Sequence, residues 1–229
     1  MKLDKLLTIG QKAYTLADDE VVLEANSAGR ASLTIDTEGD EIKPFTAMSL
    51  DIGYSQHGHA SRFFVGYIES VNPRDRRSSA RFYRELPGVL AKPLPLSLRH
   101  PTMRDVLTAM HEKTGLNFAV PSSDYATAKI PHFQNIGSGY HALEHVGKAF
   151  KVGDFFWQQQ ADGVIFCGSW DDSPWPDREV ELPDEWFTDQ YAKTAKIPAL
   201  PSLRPGAILN GQRVKLVTLM GNFMGVEWV

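Results

Sequence analysis

The apolar residues of this chain change their period twice, and that double switch restricts the folds open to it more than any other feature. Up to about residue 85, and again in the C-terminal stretch, apolar and polar residues alternate as in strands with one buried face. Between these stretches the apolar residues recur three and four positions apart, as on one face of a helix. The order is therefore β, then α+β, then β, and the chain reads as a β-rich mixed α+β protein.

The first stretch carries the strand signals. Ala31–Asp36 alternates small or polar with apolar residues, and Met48, Leu50, Ile52 and Tyr54 share one face of the segment Ala47–Tyr54. Arg62–Val71 is rich in aromatic and β-branched residues, with Gly66 placed as a bulge or a point of close packing. The polar run Asn72–Arg77 turns the chain into Ser79–Arg84. Short strands with frequent turns predict a small barrel or sandwich over residues 1–85.

Pro87, Pro93 and Pro95 mark a boundary, and residues 86–172 predict an inserted α+β domain. Thr102 and Asp105 have capping-box spacing, and Met103, Val106, Leu107 and Met110 line one helical face. Gly115 stands where a helix-ending glycine belongs, and Leu116, Phe118 and Val120 then alternate as a strand. A second helix follows Ser138, with Ala142, Leu143, Val146, Ala149 and Phe150 inward. Phe155–Trp157 and Val164–Phe166 flank the turn Asp162-Gly163. Residues 171–180 read as a linker held by a tryptophan. Residues 173–229 then supply strands, with turns at Arg204–Gly206 and Asn210-Gly211, that complete or form a second barrel.

Composition narrows the function. Twenty-four basic and 28 acidic residues give a net charge of −4, which argues against a protein that grips phosphates, though not against one that DNA slides past. The single Cys167 excludes an internal disulfide, and its neighbours Val164, Ile165 and Phe166 make it an ordinary strand position. The N-terminus lacks the apolar core of a signal peptide, and no run of about 18 apolar residues occurs, so the chain is expected to be soluble and intracellular when made, without a membrane span.

The sharpest catalytic pattern is His141-Ala-Leu-Glu144-His145, the H-x-x-E-H form in which two histidines of one helix bind zinc and the glutamate activates water. Leu143, Val146 and Phe150 claim the buried side of that helix, which leaves His141 and Glu144 on the exposed one. A third ligand would have to come from Glu181, Glu185 or Glu227, in a different domain. His57-Gly58-His59 reads as a loop tip, and Asp171-Asp172 as a turn. His100, His111 and His132 have no partner at ligand spacing, and Gly137-Ser138-Gly139 lacks the lysine of a phosphate loop. The one basic run, Arg74, Arg76, Arg77, Arg81 and Arg84, reads as a solvated hairpin or a contact with an acidic neighbouring subunit. The expectation is a non-enzymatic protein without a cofactor.

Several phrases occur in a telling order over about residues 40–215: Phe64–Glu69, the proline-rich step, Thr102–Met110 ending at Leu116, Gly139–Val146, Phe156-Trp157 with Asp162-Gly163, and Leu203–Gly206. This ordered set resembles the tail hub, or baseplate hub, proteins of bacteriophages and the related core of the type VI secretion spike. The resemblance implies tail-hub-like β-barrel domains around an inserted small α+β domain, and three copies forming a ring at the distal end of the tail tube. It further implies a virion structural protein with the distal tail ring, tape measure and central tip as partners, and DNA only in transit through the lumen. The place would be the virion tail, and the host cytoplasm during assembly. Two rivals stand beside it. One is an adaptor domain of a cell-envelope or secretion machine, since Met103–Val120 also looks like the helix–strand module of secretin N-terminal domains. The other is a zinc hydrolase built on His141, Glu144 and His145.

Overall fold

A computed structural model of the chain describes residues 3–37, 39–54, 60–73 and 78–229. Two compact units result: Met1–Leu86 together with Arg178–Val229, and Pro87–Asp177. The protein is β-rich with a few helices, the mixed α+β class that the periods require.

The N-terminal strands are β1 (Leu3–Ile9), β2 (Lys12–Tyr14), β3 (Leu16–Glu24), β4 (Arg30–Asp36), β5 (Ala47–Tyr54), β6 (Ser61–Pro73) and β7 (Ser78–Glu85). Alternation sets their inward faces. Leu7, Leu33, Ile35, Leu50, Ile52, Phe64 and Ile68 are fully buried, each contributing on the order of 2 kcal/mol by leaving water. Gly66 is the point of close packing that the sequence offers. A Cβ there would stand 2.0 Å from the Arg84 carbonyl oxygen across the ladder. The register shift between β6 and β7 falls just beyond it, between Ile68 and Ser70.

The second unit opens with a short 3-10 turn, Leu86–Ala91, and β8 (Leu96–Arg99). Helix α1 (Met103–Thr114) starts with a complete capping box: Thr102 Oγ1 accepts from the Asp105 N–H, and Asp105 Oδ2 accepts from the Thr102 N–H. Gly115 ends it at φ 73°. Met103, Val106, Leu107 and Met110 are its buried face. Strand β9 (Phe118–Ala119) is shorter than Leu116–Val120. Beyond its end Pro121 has no N–H to give a ladder, and Arg104 of α1 takes the carbonyls of Val120 and Pro121 as acceptors. Then come α2 (Asp124–Thr127), β10 (His132–Asn135), α3 (Gly139–Ala149), β11 (Phe155–Gln159) and β12 (Ile165–Ser169). β11 and β12 pair antiparallel around Gly163 at φ 87°, β9 joins β12 in parallel, and β10 pairs with β8. The linker tryptophan, Trp175, is buried. Among the described residues no helix is long and apolar enough to cross a membrane.

The chain then returns to the first unit with β13 (Glu179–Val180), β14 (Thr194–Pro198), β15 (Ile208–Leu209), β16 (Gln212–Met220) and β17 (Phe223–Trp228). Asn210 and Gly211, at φ 47° and 76°, make the tight turn between β15 and β16 that their residue types favour. The sequence gives reason to expect these strands to complete or form a second barrel. In the structure β16 pairs antiparallel with β3, so both ends of the chain share one 12-stranded sheet. Its main path runs β16-β3-β4-β7-β6-β5-β1-β2, with β17 and then β14 beyond β16. Among the described residues no ladder closes this sheet into a barrel.

Buried charge fastens the C-terminal part to the N-terminal strands. The register between β5 and β6 shifts so that Phe63 has no opposite residue. Arg204, 5% exposed, donates to the carbonyls of Arg62 and Phe63 at 3.2 and 2.6 Å and lies over the Phe63 ring. Glu85, 2% exposed, accepts from the Gly29 N–H at 2.7 Å, and its own N–H donates to the Gly29 carbonyl. Burial raises the Glu85 carboxyl to about 7, against the pull of the Gly29 N–H and the Arg204 charge.

Two consequences can be measured. Gly66→Ala drives a Cβ into backbone rather than a movable side chain, so it should cost at least about 2–3 kcal/mol by urea unfolding, or yield insoluble protein. Glu85 holds a proton in the folded state, between its ordinary 4.5 and about 7, that the unfolded chain releases. Its stabilising share is therefore full below pH 4.5 and lost as pH rises through 7. Relative to wild type, Glu85→Gln should gain on the order of 3 kcal/mol between pH 4 and pH 8.

Candidate functional site

The H-x-x-E-H helix is α3, capped by Ser138, whose hydroxyl accepts from the His141 N–H. Ala142, Leu143 and Val146 are its buried stripe, so His141, Glu144 and His145 all face solvent. Glu144 lies 4.0 Å from Lys148 on that outer face. Among the described residues no three of histidine, cysteine, aspartate and glutamate converge to hold a metal ion. Glu227, one of the third-ligand candidates, pairs instead with Lys215 at 2.8 Å. The other lone candidates have local tasks. His111 Nδ1 meets the Leu116 carbonyl at 2.9 Å, and His132 Nε2 meets Ser97 Oγ at 3.2 Å. Asp172 accepts from Ser123 and Tyr125 and ties α2 to the end of β12. Cys167 is fully buried in β12, which pushes its thiol well above the usual range. His57 and His59 lie outside the described residues.

Of the basic run, Arg74, Arg76 and Arg77 also lie outside the described residues. Arg81 does not reach a surface: it is 3% exposed. β7 turns Arg81, Tyr83 and Glu85 inward and leaves Phe82 39% exposed, the reverse of what residue type alone suggests. Tyr14 and Tyr83 are the neighbours whose charge bears on Arg81, and burial draws its guanidinium below its usual value. The same burial pushes the Tyr83 hydroxyl well up.

A concave surface in the first unit emerges where the sequence showed no motif. β3 follows β2, the hairpin partner of β1, after Thr15 alone, so its N-terminal half starts beside β1, yet among the described residues the two strands do not pair. β5 covers one side of β1 along its whole length, and β2 covers the other only from Leu7 to Ile9. On the facing wall, β16 pairs with β3 no further than Glu20. The gap is bridged by one ion pair, Lys5 to Asp19 at 2.6 Å, with side chains 11% and 9% exposed. Above it lies a groove of about 570 Å³ lined by Leu3–Leu6, Ala13–Leu16, Asp19 and the hairpin tip Gly221-Asn222. The legible signal was the alternation of Leu3, Leu7 and Ile9 ahead of Gly10, which marks β1 as a strand with a tight turn.

This architecture is the fold of phage tail proteins. Over 98% of its length the chain superimposes on 97% of the 43 kDa tail protein of prophage MuSo2 from Shewanella oneidensis, with a TM-score of 0.72 and 9% identity. It covers 96% of a tail protein from Neisseria meningitidis with a TM-score of 0.70 and 11% identity, all of this chain being matched. An E. coli component of the type VI secretion system, itself described as similar to bacteriophage T4 tail proteins, matches 97% of this chain and 76% of its own at a TM-score of 0.68 and 12% identity. In sequence, the chain is 33% identical over 222 residues to an uncharacterised 58.7 kDa protein of Haemophilus phage HP1. That match takes in 97% of this chain and 41% of the length of the phage protein. No protein-family model matches the sequence.

The exposed face of α3 is open to a direct check. His145→Ala should change stability by less than about 0.5 kcal/mol, and stoichiometric zinc should leave the melting temperature of wild type and variant unchanged. A zinc-dependent rise that His145→Ala abolishes would restore the metal reading.

Proposed function

We propose that this chain is a structural subunit of a phage tail, a hub-type protein that forms a ring with copies of itself at the distal end of the tail tube. The observation that carries this reading is the end-to-end likeness to the MuSo2 tail protein, in which nearly all of both chains is matched. The sequence relative is also a phage protein, which supports a place in a virion. In this reading the chain is not an enzyme. Its partners are itself, as a homotrimer, and the neighbouring tail components: distal tail ring, tape measure and central tip. DNA passes through the lumen, and the net charge of −4 suits a channel that must not retain it. Arg74, Arg76 and Arg77, which follow β6 in the sequence, are the proposed contacts to a neighbouring subunit. Assembly would take place in the host cytoplasm and end in the virion tail.

A second reading, an adaptor in a secretion machine, is favoured by the likeness to the type VI secretion component. Antibody against this chain, applied to purified particles and viewed by electron microscopy, separates the two. Gold at the tail tip, with trimers seen by native mass measurement at high concentration, supports the hub. Particles free of label, with the chain recovered instead from contractile secretion complexes, would favour the adaptor.

A further inference from the structure

A cleft of about 300 Å³ in the second unit lies between α1 and β9, lined by Arg104, Thr108 and His111 of the helix and by Phe118 and Val120 across from them. β9 has a ladder partner on one side only, β12. The Ile165 N–H donates to the Asn117 carbonyl at 2.8 Å, so in this parallel ladder Asn117 and Ala119 turn their backbone groups toward β12. Phe118 turns its N–H and C=O the other way, and among the described residues no strand pairs with them. Two side chains of α1 bound the cleft. At one end Arg104 Nη2 donates to the carbonyls of Val120 and Pro121 at 3.2 and 2.8 Å. At the other, His111 Nδ1 stands 2.9 Å from the Leu116 carbonyl. Arg104 and His111 are two helical turns apart, about 10 Å. An extended chain advances about 3.3 Å per residue, so the cleft takes about three residues.

The two ends call for different groups. Arg104 keeps Nε and Nη1 without a hydrogen bond among the described residues. It is the permanent charge of a lining that holds no carboxylate, and Asp105 beside it is spent on the Thr102 cap. That end favours an anion. The Leu116 carbonyl can only accept, so His111 Nδ1 carries a hydrogen and Nε2 of the neutral ring is left as an acceptor. With the Phe118 carbonyl, the His111 end takes N–H donors. Leu107 is buried and Phe118 and Val120 half-buried in the lining, which suits apolar side chains. A polypeptide's C-terminal end meets all of these terms, with its carboxylate at Arg104 and its N–H and C=O groups along Phe118. An internal segment would have to run on past Arg104, through the side chain tied to Val120 and Pro121.

We infer that this cleft binds the last two or three residues of a different polypeptide in extended form, with the terminal carboxylate on Arg104 and backbone bonds to Phe118. Thr108, exposed one turn after Arg104, supplies a further donor. A second copy of this chain is not the occupant through its own end, because the Trp228 and Val229 N–H groups are bonded to the Lys193 and Arg213 carbonyls. The site lies wholly within Pro87–Asp177, and the inference is independent of the ring, since a chain that never trimerises would present the same cleft.

The test uses the whole chain and three alanine–valine hexapeptides, labelled with fluorescein at the N-terminus and titrated by anisotropy. One ends in a free carboxylate, one in an amide, and one in an amide with a glutamate inside. The free-acid peptide should bind at least tenfold tighter than either amide, and its binding should slow hydrogen exchange at the Phe118 amide. Arg104→Gln should weaken it at least tenfold, and Arg104→Lys, which keeps the charge, should bind at least threefold tighter than Arg104→Gln. Thr108→Asp leaves every described hydrogen bond in place, adds a carboxylate to the lining, and should weaken the free-acid peptide at least fivefold. Lack of binding, equal binding of acid and amide, binding that Arg104→Gln and Thr108→Asp leave unchanged, or protection that spares Phe118 would overturn the inference. So would tighter binding of the glutamate peptide, which would make the ligand an acidic side chain. Displacement of the free-acid peptide by equimolar glutarate or inorganic phosphate would overturn it as well, by making the cleft a small-anion site.

Discussion

One pairing holds the larger unit together: β16 alongside β3. Without it the C-terminal strands β14, β16 and β17 would be a small separate sheet, with little apolar surface of their own to bury. With it, Val217 and Leu219 share a ladder with Val21 and Leu23, and all four are buried. Arg204 reinforces the junction in a different way. It supplies donors to carbonyls at the irregularity in β6, where the regular ladder provides no opposite residue. A donor side chain is needed there because the Phe63 carbonyl is buried, and an apolar residue would leave it without a hydrogen bond.

Much of this was legible in the residues. β5 runs from Ala47 to Tyr54 as its alternation requires, and the capping box at Thr102 and Asp105 together with Gly115 fixed both ends of α1. These features are local, so a short window of sequence carries them in full. The joining of both chain ends in one sheet was not legible, because strand pairing across so many residues leaves no trace in periodicity. β9 fell short of the segment Leu116–Val120 for a similar reason. A side chain from α1, Arg104, donates to the carbonyls of Val120 and Pro121, and nothing in the strand itself announces that.

The candidate sites show the same division. α3 could be placed and its buried stripe named, so the exposure of His141 and Glu144 followed from the helix period, and the structure adds His145 to that face. β7 misled, since its charged residues suggested a solvated face. The register set by β4 and β6 instead turns Arg81, Tyr83 and Glu85 inward as a buried polar row, with the carboxyl of Glu85 raised in consequence. The groove beside β1 was invisible in sequence because it consists of what two strands fail to do. Leu3–Leu6 extends β1 beyond its hairpin with β2, and only the length of β2 shows that the pairing stops early.

The pairing of β3 with β16 also sets an order of events during synthesis. Residues 20–24 leave the ribosome long before residues 216–220 exist, and the whole Pro87–Asp177 unit intervenes. For that interval one flank of β3, including Val21, Val22 and Leu23, has a neighbour in β4 and none on the other side. Non-local ladders of this kind form slowly, and a waiting hydrophobic edge can recruit the wrong strand. The inserted helical unit, whose contacts are largely its own, can mature in the meantime, so the nascent chain would pass through a stage with a finished middle and an unfinished frame.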